Sequence, residues 1–187
     1  MTKKFGFTLA EVLITLAIIG VVAALTIPSI IVNNQSLEFR TGLKKAVSTL
    51  NQAITMNLAL DNEGPGDIAD PTLLMDMFER RMNVIRTTDA LTYSDGNMAF
   101  YTADGMRYEL SNTAMDFAGR AASCTSTSPC GMVVDVNGDK KPSPDATNAY
   151  KVTESASGKV YDVFPILITD SGAIPFGVVA QELMFAK

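Results

Sequence analysis

The stretch that decides the fold of this chain begins at residues 3–13, Lys3-Lys4-Phe5-Gly6-Phe7-Thr8-Leu9-Ala10-Glu11-Val12-Leu13. Two lysines and a glycine precede an apolar run that continues to Val32 and carries one carboxylate, Glu11, near its start. No charged residue lies between Glu11 and Glu38, so the run has the roughly 20 residues that a membrane-spanning helix needs. A charged side chain at membrane depth costs roughly 2.5–3.5 kcal/mol, so Glu11 requires a partner or a function.

These residues resemble the start of type IV prepilins and of the pseudopilins of type II secretion. The matching elements are the short basic leader that ends in Gly6, the apolar Phe7, the run at residues 7–13, and Pro28. The resemblance extends to roughly Leu60. It implies that a prepilin peptidase cuts between Gly6 and Phe7 and methylates the new amino group of Phe7.

The resemblance also implies a function for Glu11. In the family, this carboxylate pairs with the N-terminal ammonium of a neighbouring subunit as the subunit joins a filament. Such a pair is tolerated in a low-dielectric setting, where a lone carboxylate is costly. The alternative is that Glu11 lies in the headgroup region of an ordinary membrane anchor.

The position of the cut separates this leader from a secretory signal peptide, which is cut after its apolar segment and lost. Because Lys3 and Lys4 favour a cytoplasmic N-terminus, we expect one pass through the bacterial inner membrane. The expected domains are a leader (1–6), a transmembrane assembly helix (7–32) and a periplasmic or extracellular head (33–187). The resemblance implies that the partners are the membrane, the prepilin peptidase, an inner-membrane assembly platform, further copies of this chain and other pilin-like subunits.

Composition argues against two function classes. The net charge of the 187-residue chain is −5, and removing residues 1–6, which carry two lysines and no acid, makes it −7. An acidic chain without a basic cluster is not typical of a nucleic-acid partner. The sequence has no histidine, which removes histidine-based triads and imidazole acid–base catalysis, so we expect that the protein is not an enzyme.

Apolar periodicity predicts one long helix over residues 7–60. Its first half is apolar on all sides. Its second half is amphipathic, with apolar residues at helical spacing: Leu37, Leu43, Val47, Leu50, Ile54 and Leu58. Gly20 and Pro28 are expected points of bending or local melting. A second helix is expected after Asp70, an N-cap, and Pro71, with Leu73, Leu74, Met77, Phe78 and Met82 on its apolar face.

Strand patterns follow the helices. Residues 98–102 and 106–110 flank Asp104-Gly105, which indicates a β-hairpin, and residues 131–136 and 160–169 are further strands. Pro165 suggests an edge or an irregularity in the last of these. The tail from Ile174 is ambiguous. The expected fold class is α+β, in which the long N-terminal helix packs on a small antiparallel sheet, as in the pilin lollipop.

Two motifs lie in the head. Cys124 and Cys130 are an even pair in an exported chain, which favours a disulfide. Asp135, Asn137 and Asp139 place oxygen-bearing side chains at alternate positions and could bind calcium, although the segment departs from an EF-hand loop. The alternative is an Asn-Gly turn after a strand. No other cofactor is expected.

The predicted function is that of a structural subunit of a type IV pilus-like filament or a type II secretion pseudopilus. The alternative is a membrane-tethered periplasmic binding module, with or without calcium, that does not polymerise. The sequence does not distinguish a pilus from a pseudopilus.

Another prediction concerns two separated segments. The stretch Asp135-Val136-Asn137-Gly138 and the later Asp162-Val163-Phe164 are similar to segments of other prepilin-like sequences. We interpret this pattern as a structural turn that the chain shares with those sequences.

Overall fold

The computed structural model describes residues 6–88, 98–110, 123–138, 140 and 162–185, without the side chains at positions 32, 33 and 71. The chain divides into two compact units, residues 1–37 and 38–187. The elements in chain order are α1 (Leu9–Asp61), α2 (Pro71–Arg81), β1 (Val84–Thr88), β2 (Met98–Thr102), β3 (Arg107–Leu110), β4 (Cys130–Asp135), β5 (Val163–Thr169), β6 (Gly172–Pro175) and α3 (Val178–Phe185).

In the first unit, α1 is an unbroken helix that runs through both Gly20 and Pro28. Local melting at these two residues is therefore not present in the isolated subunit, and bending there stays a prediction. Hydroxyl groups in this apolar segment bond back to carbonyls of their own helix, as Thr26 Oγ1 does to Val22 at 3.0 Å. Hydroxyls satisfied in this way are compatible with a setting that offers no water.

In the second unit, α1 buries a stripe of residues against the sheet. The stripe follows the expected 3.6-residue period and consists of Phe39, Leu43, Ala46, Val47, Leu50, Ala53, Ile54 and Asn57. The prediction was wrong for Leu37 and Leu58, which are 58% and 50% exposed. Position 57 continues the alternating four- and three-residue steps from Leu50, so Leu58 lies off the buried stripe.

The sheet is a six-stranded antiparallel meander in the order β1-β2-β3-β4-β5-β6. The predicted hairpin is confirmed: β2 pairs with β3 across Asp104-Gly105, and Gly105 has a φ of 86°, which favours glycine. One face of the sheet packs on α1 and α2 through Phe100, Tyr108, Met132, Phe164 and Ile166. The expected α+β class, with a long N-terminal helix and an antiparallel sheet, is confirmed.

Pro165 lies in an interior strand, so the edge-strand alternative was wrong. The other alternative, an irregularity, corresponds to the end of the β5–β6 register next to this residue. β5 pairs with β4 on one side, in uninterrupted register at Val133↔Pro165, and with β6 on the other. The backbone N–H of Phe176 donates to the Pro165 carbonyl at 2.9 Å, so the main chain of Pro165 faces β6 at the point where that strand ends. The donor that proline lacks would point to this local end of pairing, which is why the residue is tolerated.

Helix α2 begins as predicted. The Asp70 side chain accepts a hydrogen bond from the Thr72 N–H at 2.8 Å, and Pro71 is the first helical residue. Leu74, Met77, Phe78 and Met82 are buried, as expected, and so is Met75. The expectation for Leu73 was wrong, since its side chain is 54% exposed.

A cluster of polar contacts fixes the C-terminal end of α2 to the end of α1. Arg81 donates from Nε to the Asn57 side chain at 3.0 Å and forms an ion pair with Asp61. Asn57 is buried, and its Nδ2 donates to the carbonyl of Glu63 at 2.8 Å. A buried amide without such partners would be costly, so these bonds explain a polar residue on the core-facing stripe of α1.

Candidate functional site

The first candidate site is the start of α1. Gly6, Phe7 and Thr8 precede the helix and are not helical, and all three are exposed. A peptide bond between Gly6 and Phe7 is therefore accessible in this structure. A Cβ added at Gly6 would meet no atom within 4 Å, so no contact in the described part of the chain requires glycine there.

Thr8 and Glu11 form a capping box at this helix start. The Glu11 N–H donates to Thr8 Oγ1 at 3.3 Å, while Glu11 Oε2 accepts from the Thr8 backbone N–H at 2.8 Å and from its hydroxyl at 2.9 Å. This reciprocal pattern satisfies backbone donors that a helix start otherwise leaves open. The predicted assembly residue is thus held by a residue that the sequence analysis missed, although the Thr-Leu-Ala-Glu spacing is a known sequence sign of such a box.

The capping box involves only one oxygen of the carboxylate. Among the described residues, Oε1 of Glu11 accepts no hydrogen bond. Glu11 also lies in the first turn of α1, where the helix dipole favours negative charge. The arrangement holds the carboxylate at the helix start and leaves one oxygen available to a cation.

The helix that follows exposes large apolar side chains along its length. Every large apolar side chain from Phe7 to Ile31 is between 44% and 90% exposed. One helix in the described part of the chain, α1, is long and apolar enough to cross a membrane. A monomer in water rarely exposes so much contiguous apolar surface, so this part of α1 requires lipid or other protein around it.

The second candidate site is the turn after β4. The Asn137 N–H donates to Asp135 Oδ1 at 3.1 Å, an Asx turn, and the next residue, Gly138, has a φ of 71°. The Asn137 amide donates to Asp162 Oδ2 at 3.0 Å, and the Val136 N–H donates to the Asp162 carbonyl at 2.9 Å. The structure therefore brings these two segments of the chain together in one turn. That other prepilin-like sequences share this turn stays a prediction.

This turn contains two of the three predicted calcium ligands. Asp135 is buried and Asn137 is half-buried, whereas Asp139 lies outside the described residues. The described residues contain no group of three or more histidine, cysteine, aspartate or glutamate side chains arranged to hold a metal. Calcium binding by Asp135, Asn137 and Asp139 stays a prediction.

The two cysteines form the expected disulfide, Cys124–Cys130, with a Cα–Cα distance of 5.0 Å. The loop that it closes connects two other parts of the second unit. The Cys124 N–H donates to the Pro65 carbonyl at 3.2 Å, and the Ser126 hydroxyl donates to Asp170 in the turn between β5 and β6. The bond has a structural role, because it holds the segment after α1 beside the β5–β6 turn.

The fold and the N-terminal site define a class of protein: one with an exposed, membrane-compatible N-terminal helix, a capped carboxylate at its start and an α+β unit after it. Comparison with family models supports this class, since residues 1–27 match the prokaryotic N-terminal methylation motif. The chain therefore carries the prepilin-type motif of type IV pilins and pseudopilins. Comparisons with curated proteins and with solved structures gave no match.

Proposed function

We propose that this protein is a structural subunit of a type IV pilus-like filament or a type II secretion pseudopilus. It assembles through α1 after the leader is cut between Gly6 and Phe7 and Phe7 is methylated. The prepilin-type motif at residues 1–27 is the observation that carries the proposal. Before assembly, the subunit lies in the bacterial inner membrane with a cytoplasmic N-terminus. Its head lies in the periplasm or on an extracellular filament.

The environment of Gly6 supports processing at that residue. A position usually requires glycine because its φ is positive or because another atom lies where a Cβ would be. No described atom lies within 4 Å of a Cβ built at Gly6, so the second reason does not apply. A peptidase that must reach the main chain supplies another reason, since an exposed, non-helical segment lies at the cut. The prepilin peptidase is therefore a proposed partner.

Apolar burial alone does not drive the helix from the membrane into a filament. Lipid tails are as apolar as the leucine and isoleucine side chains of α1, so exchanging lipid for neighbouring helices changes little hydrophobic free energy. Glu11 is different, because its charge costs roughly 2.5–3.5 kcal/mol at membrane depth and that cost falls when the carboxylate meets an ammonium. Glu11 therefore favours the docked state over the isolated state.

Thr8 orients this carboxylate. It holds Oε2 through two hydrogen bonds, and the pairing partner is the methylated amino group of Phe7 of another copy or of another pilin-like subunit, which would meet Oε1. The inner-membrane assembly platform supplies the extraction step. The acidic chain and the absence of a catalytic motif support a structural subunit that is not an enzyme and has no nucleic-acid partner.

The test is assembly in a bacterium that provides a prepilin peptidase and an assembly platform. Glu11→Ala and Glu11→Gln should be cut and inserted like the native chain but should fail to appear in the sheared filament fraction. Removing one partner of a buried ion pair costs about 3–5 kcal/mol, which is enough to abolish a polymer. Native levels of filaments in both variants would overturn the proposal and favour a tethered binding module that never polymerises.

Thr8 has a matched control in the same helix. Thr8→Val removes the hydroxyl that holds Glu11. Thr15→Val removes a hydroxyl that, among the described residues, bonds to the Val12 carbonyl at 2.9 Å. Losing a helix cap costs about 0.5–2 kcal/mol, so Thr8→Val should lower the filament yield while Thr15→Val leaves it unchanged. Equal yields in the two variants would contradict the role given to Thr8.

A further inference from the structure

Strand β6 is one edge of the described sheet, and only part of its main chain is paired with β5. The Phe176 N–H and the Gly172 carbonyl face β5, since they bond to the Pro165 carbonyl and the Thr169 hydroxyl. Main-chain groups alternate in direction along an antiparallel strand, so Ala173 and Pro175 face away from β5. Pro175 has no N–H, so of these two residues Ala173 is the one that presents both an N–H and a C=O to a possible neighbouring strand.

The side chain of Asn51, in α1, occupies both of these groups. Its Oδ1 accepts from the Ala173 N–H at 2.9 Å, and its Nδ2 donates to the Ala173 carbonyl at 3.1 Å. The same Nδ2 also donates to the Val47 carbonyl at 3.0 Å, which anchors the amide on its own helix. The amide thus makes the two bonds that one residue of a neighbouring antiparallel strand would make.

The neighbouring glycine permits this approach. A Cβ built at Gly172 would collide with Oδ1 of Asn51, and Gly172 has a φ of 143°, a conformation that side chains disfavour. Any larger residue at this position would displace the Asn51 amide. The cap therefore depends on a residue of the strand as well as on one of the helix.

We propose that Asn51 caps the sheet edge and prevents β6 of one copy from pairing with β6 of a second copy. An edge strand with free main-chain groups is a template for another strand. The second copy is the natural competitor, because a two-fold antiparallel pair centred on Ala173 would exchange the same two bonds that Asn51 makes. Ile174, 49% exposed, would lie beside such a contact.

The opposite edge is protected by a different device. The register of β1 shifts between Val84 and Arg86, which leaves Ile85 as a bulged residue that is 68% exposed. Bulges disrupt pairing at an edge. Ile85 therefore serves as a control position at which loss of Asn51 should change nothing.

The experiment uses the full chain in detergent micelles and two readouts. The first is amide hydrogen exchange at Ala173, which should become up to about tenfold faster in Asn51→Ala, since one hydrogen bond contributes about 0.5–1.5 kcal/mol. The second is cross-linking by a short bis-maleimide through Ile174→Cys, which should increase several-fold when Asn51→Ala is added. Gln52→Ala, on the exposed neighbouring position, should change neither readout.

Asn51→Asp is a milder variant for the case in which Asn51→Ala does not fold. It keeps an acceptor for the Ala173 N–H and loses the donor to the Ala173 carbonyl, so its cross-linking should be intermediate. Unchanged exchange at Ala173, or equal cross-linking with and without Asn51, would overturn the proposal. An equal increase in cross-linking through Ile85→Cys would also overturn it, because association through α1 alone would then explain the increase at both cysteine positions. None of these outcomes depends on filament assembly.

Discussion

Replacing Gly42 by alanine should destabilise the contact between α1 and the turn after β4. A Cβ at Gly42 would lie 2.9 Å from Cβ and 3.3 Å from both methyl carbons of Val136. Carbon atoms pack at about 3.5–4.0 Å, so the helix or the turn must move. Overpacking of this kind costs about 1–3 kcal/mol, while exchanging glycine for alanine in a helix interior stabilises it by about 1 kcal/mol. The expected net loss of stability is about 0–2 kcal/mol.

A double-mutant cycle separates the two effects. In a Val136→Gly background the three nearest atoms are gone, so Gly42→Ala should now stabilise the protein by about 1 kcal/mol. Urea unfolding of the full chain in detergent, followed by tyrosine fluorescence, gives the four free energies.

The difference between the Gly42→Ala effects in the native and Val136→Gly backgrounds is the decisive result. The chain has no tryptophan, and Tyr108 is buried in the core, so the fluorescence reports on the second unit. If Gly42→Ala stabilised the protein equally in both backgrounds, α1 would not approach the turn as closely as the structure shows, and the reasoning would be refuted.

Two other predictions concern the same end of the sheet. Burial raises the pKa of Asp104, but hydrogen bonds from Lys45 and Thr102 and the Lys45 charge outweigh it and hold the pKa below the ordinary 3.8. Above pH 4, this ion pair should therefore contribute less than about 1 kcal/mol to the free energy of unfolding. The contribution is lost as the pH falls through the lowered pKa of Asp104. Acid unfolding followed by circular dichroism should show this loss in the native chain but not in Lys45→Met. If Asp135, Asn137 and Asp139 bind calcium, a free calcium concentration of one hundred times the dissociation constant should stabilise the chain by about 2.7 kcal/mol. The calcium hypothesis fails if calorimetry shows neither heat of binding nor a higher melting temperature.

Local chemistry made much of the fold predictable. The apolar run and the 3.6-residue period predicted α1, Asp70-Pro71 predicted the start of α2, and Asp104-Gly105 predicted the hairpin. In each case the cause acts over a few residues, as a cap, a turn or a repeating face. The same is true of Thr8, whose spacing to Glu11 was sufficient to indicate a capping box.

The features that were missed depend on distant partners. β6 and α3 are short and lie in a tail without a clear period, and β1, rich in β-branched residues, is a mostly exposed edge strand. Asn57 is a polar residue on the buried stripe of α1, and its burial depends on Arg81, 24 residues away, which donates to its side chain. Asn51 bonds to Ala173 across 122 residues, a pairing that no local pattern indicates.

Mass spectrometry of the protein extracted from membranes of a bacterium with a prepilin peptidase tests the central claim most directly. The account predicts a chain that starts at Phe7, carries one added methyl group on its amino terminus and keeps residues 7–187. A product that retains Met1, or one trimmed beyond Val32, would contradict it, because neither could present a new amine to Glu11 of another copy at the head of an intact α1.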